Sequence, residues 1–347
     1  MNLRPRGLCG EVEPSLGDHR ERAGKSDYGG TRPAGPLRRA YSARPRRQQP
    51  RQRGETDMRR LRMTAFVTTA SAAVVLLTTS VGGTQAAVPV PATKIMVFLE
   101  ENHSLGALNS MPYLKSLAGK FGQAAHWSDA GHPSLPNYLA IFGGARFGHL
   151  GSDCSPSSGC QARVPSVFGQ AVSAGKTAGG FEESMPSACD LTDAGEYAVR
   201  HNPWPYFFAE RSSCKTGEPA HGDAALTRAV RAGLPNVSIV TPDLIDDAHD
   251  GTLAQADAWL KKHIPLVMAG KDYQSGHLAI VVVFDEGSST ELVPFVLVSP
   301  ATSHVIDKTH LNHYALTALI DHVLGVSPLR NARNAPDIRP AFGLVTR

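Results

Sequence analysis

Cysteine is scarce in this chain and never falls in a C-x-x-C spacing, which leaves a zinc site without support. Of the five cysteines, Cys9 lies in an N-terminal leader, and the other four are an even number, as expected of an oxidising compartment. Four cysteines allow three connectivities. Cys154 with Cys160 and Cys189 with Cys214 are the expected pairs, because each brackets a loop-like segment rich in Ser, Pro and Gly. Positive charge is short where it would matter. Residues 1–87 carry 16 Lys+Arg against 7 Asp+Glu, whereas residues 88–347 carry 19 against 24. The sequence pI of 8.8 therefore belongs to the leader and argues for no nucleic-acid partner. No basic amphipathic stretch after residue 88 announces a membrane surface. Repeats and internal linkers are also missing there, so one catalytic domain is expected over 88–330, followed by a Pro/Arg/Asn-rich tail over 331–347.

Residues 1–57 are rich in Arg, Gly, Pro and Gln without hydrophobic periodicity, and are expected to be disordered or a mis-called extension. Met58 is a more sensible start. Arg59, Arg60 and Arg62 form a positive region, Ala65 to Val81 an apolar one, and Thr84-Gln-Ala-Ala87 a small-residue cleavage site, so 58–87 reads as a signal peptide. An uncleaved anchor is the rival, although spanning needs ~20 residues. Export follows, with no stable membrane insertion after cleavage.

Two apolar runs each stop at carboxylates: Lys94-Ile-Met-Val-Phe-Leu-Glu100-Glu101-Asn102 and Ala279-Ile-Val-Val-Val-Phe-Asp285-Glu286-Gly287. Runs without polar alternation suit parallel strands covered on both faces, and α/β enzymes place ligands at the carboxyl ends of such strands. Strands are expected over 95–99, 237–240, 279–284 and 293–298, and helices over 113–121, 136–142, 165–174, 224–232, 253–262 and 313–324. Their alternation predicts a mostly parallel sheet with helices on both faces, an α/β/α sandwich. The middle, roughly 145–220, is loop-rich and holds the four cysteines, as a disulfide-stapled lid would.

Like charges gathered at a strand tip repel and lose hydration, so they are tolerable only if exposed, protonated or neutralised by a cation. Glu101, Asn102, Asp285 and Glu286 are oxygen donors of the kind a hard divalent ion takes, with Glu100 expected on the opposite face by strand alternation. Ser134 lies between two prolines before a helix candidate, where amide donors and the helix dipole hold a phosphoryl oxygen. A plain helix cap is the bland alternative. Asp247-Ala-His249-Asp250 offers mixed ligands on a loop after the strand at 237–240; Arg200-His201 could donate to an anion, and His313 opens a helix that could equally just pack.

In order along the chain, Glu101-Asn-His-Ser104, Met111-Pro-Tyr-Leu114, His132-Pro-Ser-Leu-Pro-Asn-Tyr138, Arg200-His-Asn-Pro203, Asp247-Ala-His-Asp250, Asp257-Ala-Trp-Leu260, Phe284-Asp-Glu-Gly287 and His313-Tyr314 resemble the bacterial phosphoesterase family of secreted acid phosphatases and phospholipases C. The resemblance spans about residues 94–326 and implies an alkaline phosphatase-like, three-layer α/β/α fold. It also implies a phosphomonoester substrate attacked by Ser134 with a divalent metal ion held by Glu101, Asn102, Ser134, Asp285 and Glu286. His249 and His201 would act on the phosphoryl or leaving group, and Asn137, Arg200, Asp247, Asp250 and His313 would contact substrate. Within the family the chain looks most like actinobacterial enzymes acting on phosphatidylinositol 3-phosphate, so a phosphoinositide headgroup is one expected substrate. A phospholipase C-type phosphodiesterase and a non-catalytic phosphate-ligand binder are the alternatives. Sulfatases share the fold but need C/S-x-P-x-R, and no Arg follows Ser134 at that spacing.

Overall fold

The computed structural model describes residues 89–346, so the expected extension, the signal peptide and Cys9 lie outside the described residues. Seven strands form one sheet in the order β3-β4-β1-β5-β6-β2-β7. They are β1 (Lys94–Glu100), β2 (Gly122–Ser128), β3 (Ala178–Glu182), β4 (Val237–Thr241), β5 (Leu278–Phe284), β6 (Phe295–Val298) and β7 (Val305–Asn312). β3, β4, β1 and β5 run parallel, as do β2 and β7; β6 joins the two blocks antiparallel to each neighbour. Every residue of β5 is buried, and β1 is buried from Ile95 onward, as apolar strands in the middle of a two-sided sheet must be.

The helices are α1 (Pro112–Lys120), α2 (Ser134–Gly143), α3 (Val167–Ser173), α4 (Arg211–Gly217), α5 (Gly222–Ala232), α6 (Leu253–Met268), α7 (Lys271–Gln274) and α8 (His313–Leu324). α2, α3 and α8 pack together on one side, and α1, α5 and α6 on the other, completing an α/β/α sandwich. All ten residues of α2 are buried, so its apolar sequence needs no polar stripe. A capping box of Thr252 and Gln255 starts α6, and Asn312 Oδ1 accepts from Tyr314 N (3.1 Å) to start α8.

Three strands carry no clear periodicity in sequence. β3 and β7 are edge strands, and β3 reads Ala-Gly-Gly-Phe-Glu because its glycines accept close neighbours. A Cβ on Gly180 would stand 2.3 Å from Glu218 Oε1, and one on Gly179 2.7 Å from Pro235 Cγ. The helix expected over 253–262 runs on to Met268 with Pro265 inside it. The 331–347 segment, expected as a tail, instead packs into the fold: Phe342 is fully buried with its ring 5.9 Å from that of Phe295, and Thr346 bridges to Ala92. Both expected disulfides are present, Cys154–Cys160 and Cys189–Cys214.

Candidate active site

Parallel alternation decides which acid faces what. β1 and β5 end side by side, with Glu100 opposite Phe284, so the residues just beyond them, Glu101 and Asp285, leave the sheet at one edge. Asn102 follows in left-handed backbone (φ 53°), a conformation Asn tolerates, and its N–H donates to Asp285 Oδ1 at 3.0 Å. Ser134 is the first residue of α2 rather than the residue before it, and its Oγ donates to Glu101 Oε2 at 3.0 Å. The phenol of Tyr138, one turn further along α2, donates to the other Glu101 oxygen. Glu286 accepts from Asn137 Nδ2 at 3.1 Å and pairs with His132 Nδ1 at 2.9 Å.

Electrostatics here are severe. Burial raises the Glu101 carboxyl well above its ordinary range, and the charges of Asp285 and Asp247 add to it. Burial, then Glu286, pushes Asp285 up to about 8, and burial pushes Asp247 up to about 7. Asn102 Oδ1 and Asp285 Oδ2 are both buried without a hydrogen-bond partner. Orphaned oxygens beside crowded carboxylates are what a cation's ligands look like in its absence, and the oxygen donors of Asn102 and Asp285 beside Glu101 suit a hard divalent ion, whereas both oxygens of Glu286 are engaged by His132 and Asn137.

His201 is fully enclosed; its Nδ1 lies 3.1 Å from Asp247 Oδ2 and its Nε2 3.4 Å from Glu101 Oε2. Burial holds its pKa well below the ordinary value, with the Arg200 and His249 charges next, so the ring is neutral and donates through Nδ1 to Asp247. That leaves the Nε2 lone pair facing Glu101. Glu101, His201 and His249 bring ligand atoms within 4.8 Å of one another, a second way for the same pocket to hold a cation. At the half-buried outer side, Arg200 Nη2 donates to His249 Nε2 (3.2 Å), and His249 Nδ1 meets Asp250 Oδ1 (2.7 Å).

Not every expected contact faces this pocket. His313 is fully buried: its Nε2 donates to the Asp285 carbonyl at 2.5 Å and its Nδ1 accepts from Trp127 Nε1 at 3.2 Å. With both nitrogens occupied, it positions Asp285 instead of touching substrate, and burial lowers its pKa to about 4. Asn137, also expected at the substrate, is fully buried and spent on Glu286, Ala130 N and the Gly131 and Pro133 carbonyls. Asp247 orients His201 and accepts from His249 N (2.7 Å). One amide at the start of α2, Leu135 N, which the helix-dipole argument offers to a phosphoryl oxygen, donates to Asp153 Oδ1 at 3.0 Å.

Sequence reasoning missed Tyr138, Trp127, Asp153 and Asp129. Asp129 ties the two site loops together by accepting from Gly131 N and Gly287 N, each at 3.0 Å. Only Tyr138 carried a local signal, since it stands where a sulfatase motif would place Arg.

The Phosphoesterase family model matches residues 97–327. A phosphatidylinositol-3-phosphatase of Mycobacterium tuberculosis is 32% identical over 256 residues, covering 72% of this chain and 82% of that protein. A phosphate-repressible acid phosphatase of Penicillium chrysogenum is 23% identical over 213 residues, and the chain spans about half of its length (57% of this chain, 50% of that protein). A solved Bacteroides thetaiotaomicron structure from glycosaminoglycan metabolism superposes with a TM-score of 0.53 at 10% identity, covering 73% of this chain and 77% of that one, and shares the fold alone.

Proposed function

Because this chain belongs to the Phosphoesterase family, we propose that it is an exported, metal-dependent acid phosphatase that hydrolyses phosphomonoesters through a phosphoserine at Ser134. The observation that carries the reading is the Ser134 hydroxyl at the start of α2, bonded to Glu101 beside the orphaned oxygens of Asn102 and Asp285. Glu101, Asn102, Ser134 and Asp285 would hold the divalent ion. When bound, such an ion lowers the pKa of a serine hydroxyl and neutralises charge on phosphoryl oxygens.

The chain's own residues supply the rest. Glu101 is placed to take the Ser134 proton as Oγ attacks phosphorus, forming the Ser–O–P bond while the ester P–O bond breaks. Arg200 brings positive charge to the phosphoryl oxygens at the outer side of the pocket; once Arg200 turns from His249 to the phosphoryl group, His249 Nε2 is free to carry a proton, and the ring, held through Nδ1 by Asp250, is placed to give it to the departing alcohol. Water then cleaves the phosphoserine and regenerates the hydroxyl. Tyr138, its ring stacked on that of His201 at 5.4 Å, fixes the orientation of Glu101 through its phenol. Asp153 must yield the Leu135 amide before a phosphoryl oxygen can use it.

A phosphoinositide 3-phosphate is the substrate proposed from the mycobacterial relative. Export is supported by the two disulfides, and among the described residues no helix is long and apolar enough to cross a membrane. The test is hydrolysis of p-nitrophenyl phosphate, its bis-ester and phosphatidylinositol 3-phosphate vesicles, with and without chelator. Chelator-sensitive release from the monoesters is expected; preference for the bis-ester would indicate a phosphodiesterase, and no turnover of any would indicate a binding protein.

A further inference from the structure

A second group of acids sits on the other face of the sheet. Strand register pairs Phe98 of β1 with Val240 of β4, and Val240 with Phe181 of β3, so these three point the same way. Phe98 meets Trp259 of α6 edge-on at 6.0 Å, which identifies this as the α6 face. Two residues further along each strand, alternation brings Glu100 and Glu183 to that face, while Glu182 and Glu101 turn to the other. The ladder still holds at Glu183, whose N–H donates to the Thr241 carbonyl at 3.0 Å.

The loop after β4 brings Asp243 and Asp246 to the same place, and ligand oxygens of Glu183, Asp243 and Asp246 lie within 4.8 Å of one another. Asp243 is held in position: its N–H donates to Glu183 Oε2 (3.1 Å) and its Oδ2 accepts from Ser184 Oγ (2.7 Å). Such a cluster alone could be a solvated turn. Glu100 makes it more, because its carboxylate is fully buried and neither oxygen has a hydrogen-bond partner. The charges that bear on it are Asp247, Asp246, Glu183 and Asp257. Asp247 is committed to His201 and the His249 amide, and Asp257 accepts from Tyr113 N and Leu114 N at 2.9 Å each. Asp246 and Glu183 remain. The neighbouring basic side chains do not reach the cluster with a hydrogen bond: Lys262 Nζ and His263 Nε2 both lie on Asp223, at 3.0 and 3.1 Å.

We propose that Glu100, Glu183, Asp243 and Asp246 form a second, structural site for a hard divalent cation of the calcium class. Carboxylate oxygens without nitrogen or sulfur donors suit calcium, which tolerates irregular geometry and high ligand number. The ion would tie the ends of β1 and β3 to the β4 loop that carries Asp247 and His249, so it supports the catalytic pocket from behind without contacting substrate.

The test counts calcium bound to the full chain by equilibrium dialysis, and follows thermal midpoint against calcium chloride. Wild type is expected to bind one ion more than Glu183→Gln/Asp246→Asn, and Asp285→Asn is expected to keep the calcium-dependent rise in midpoint that the double variant loses. The double variant should still turn over p-nitrophenyl phosphate at saturating metal. Single Asp246→Asn, at a half-buried loop position, serves if the double variant does not fold. Equal calcium binding and an equal midpoint rise in wild type and the Glu183 and Asp246 variants would overturn this site. Loss of turnover on Asp285→Asn without loss of an ion would instead count against the catalytic metal, so the two readings fail separately.

Discussion

Glu100 and Glu101 are neighbours in sequence, both fully buried, and they serve opposite faces of one sheet. Glu101 meets a hydroxyl, a phenol and a histidine; neither oxygen of Glu100 has a hydrogen-bond partner, and acids are the charged groups that bear on it. Strand alternation thus separates a face equipped for chemistry from one equipped only to hold charge. A buried carboxylate acquires a function from the groups opposite it, and a shift of one residue in register would exchange the two roles.

The comparison is broken most severely at the proposed nucleophile. Ser134→Ala should lower kcat for p-nitrophenyl phosphate by roughly 10³-fold or more with the fold intact, because nothing else at the start of α2 can attack phosphorus. Retention of most turnover would transfer the chemistry elsewhere. Next in size is His313→Phe, which removes the donor to the Asp285 carbonyl and strands the Trp127 indole; loss of the orienting shell should cost roughly 10–100-fold in metal affinity or kcat with KM little changed. A rise in KM alone would return His313 to the substrate.

Tyr138→Phe tests the support of Glu101 more gently. One hydrogen bond to a charged group contributes about 1.5–3 kcal/mol, so kcat/KM should fall by roughly 10–100-fold at most. An unchanged pH–rate profile and metal affinity would show that Glu101 needs no such partner.

Glu182 and Glu218 sharpen the comparison from a third position. Both are buried, Glu218 against Asn202 and the Cys189–Cys214 disulfide, and each raises the other's need for a proton. Burial raises Glu182 well above 4.5, with the Glu218 charge adding to it, and burial raises Glu218 to about 8. A carboxyl whose folded pKa is raised binds more protons folded than unfolded, so its stability is full below about pH 4.5 and is lost as pH rises through about 8. The thermal midpoint should therefore fall from pH 5 to pH 8 more in wild type than in Glu218→Gln. An equal fall in both would mean the pair does not titrate with folding.

Central strands and the serine at the start of α2 are legible in the sequence because their signals are local. Apolar runs ending in acids locate β1 and β5, a short apolar run locates β4, and the Pro-Ser-x-Pro setting locates Ser134 at a helix start. β2, β3 and β7 escape because edge or half-exposed strands such as Gly122–Ser128 carry little hydrophobic pattern. The roles of His313 and Asn137 could not be read because each depends on partners far along the chain: His313 bonds Trp127 and Asp285, and Asn137 bonds Glu286. Sequence identifies these as groups capable of chemistry; only packing shows whether the substrate or another ligand receives their hydrogen bonds.

Rapid acid quench during turnover of p-nitrophenyl phosphate, followed by peptide mass spectrometry, tests the central claim most directly. One phosphoryl group on the peptide containing Ser134, absent after chelator treatment and absent in Ser134→Ala, is the predicted result. Steady turnover with that peptide unmodified at every quench time, and with Ser134→Ala still active, would contradict it.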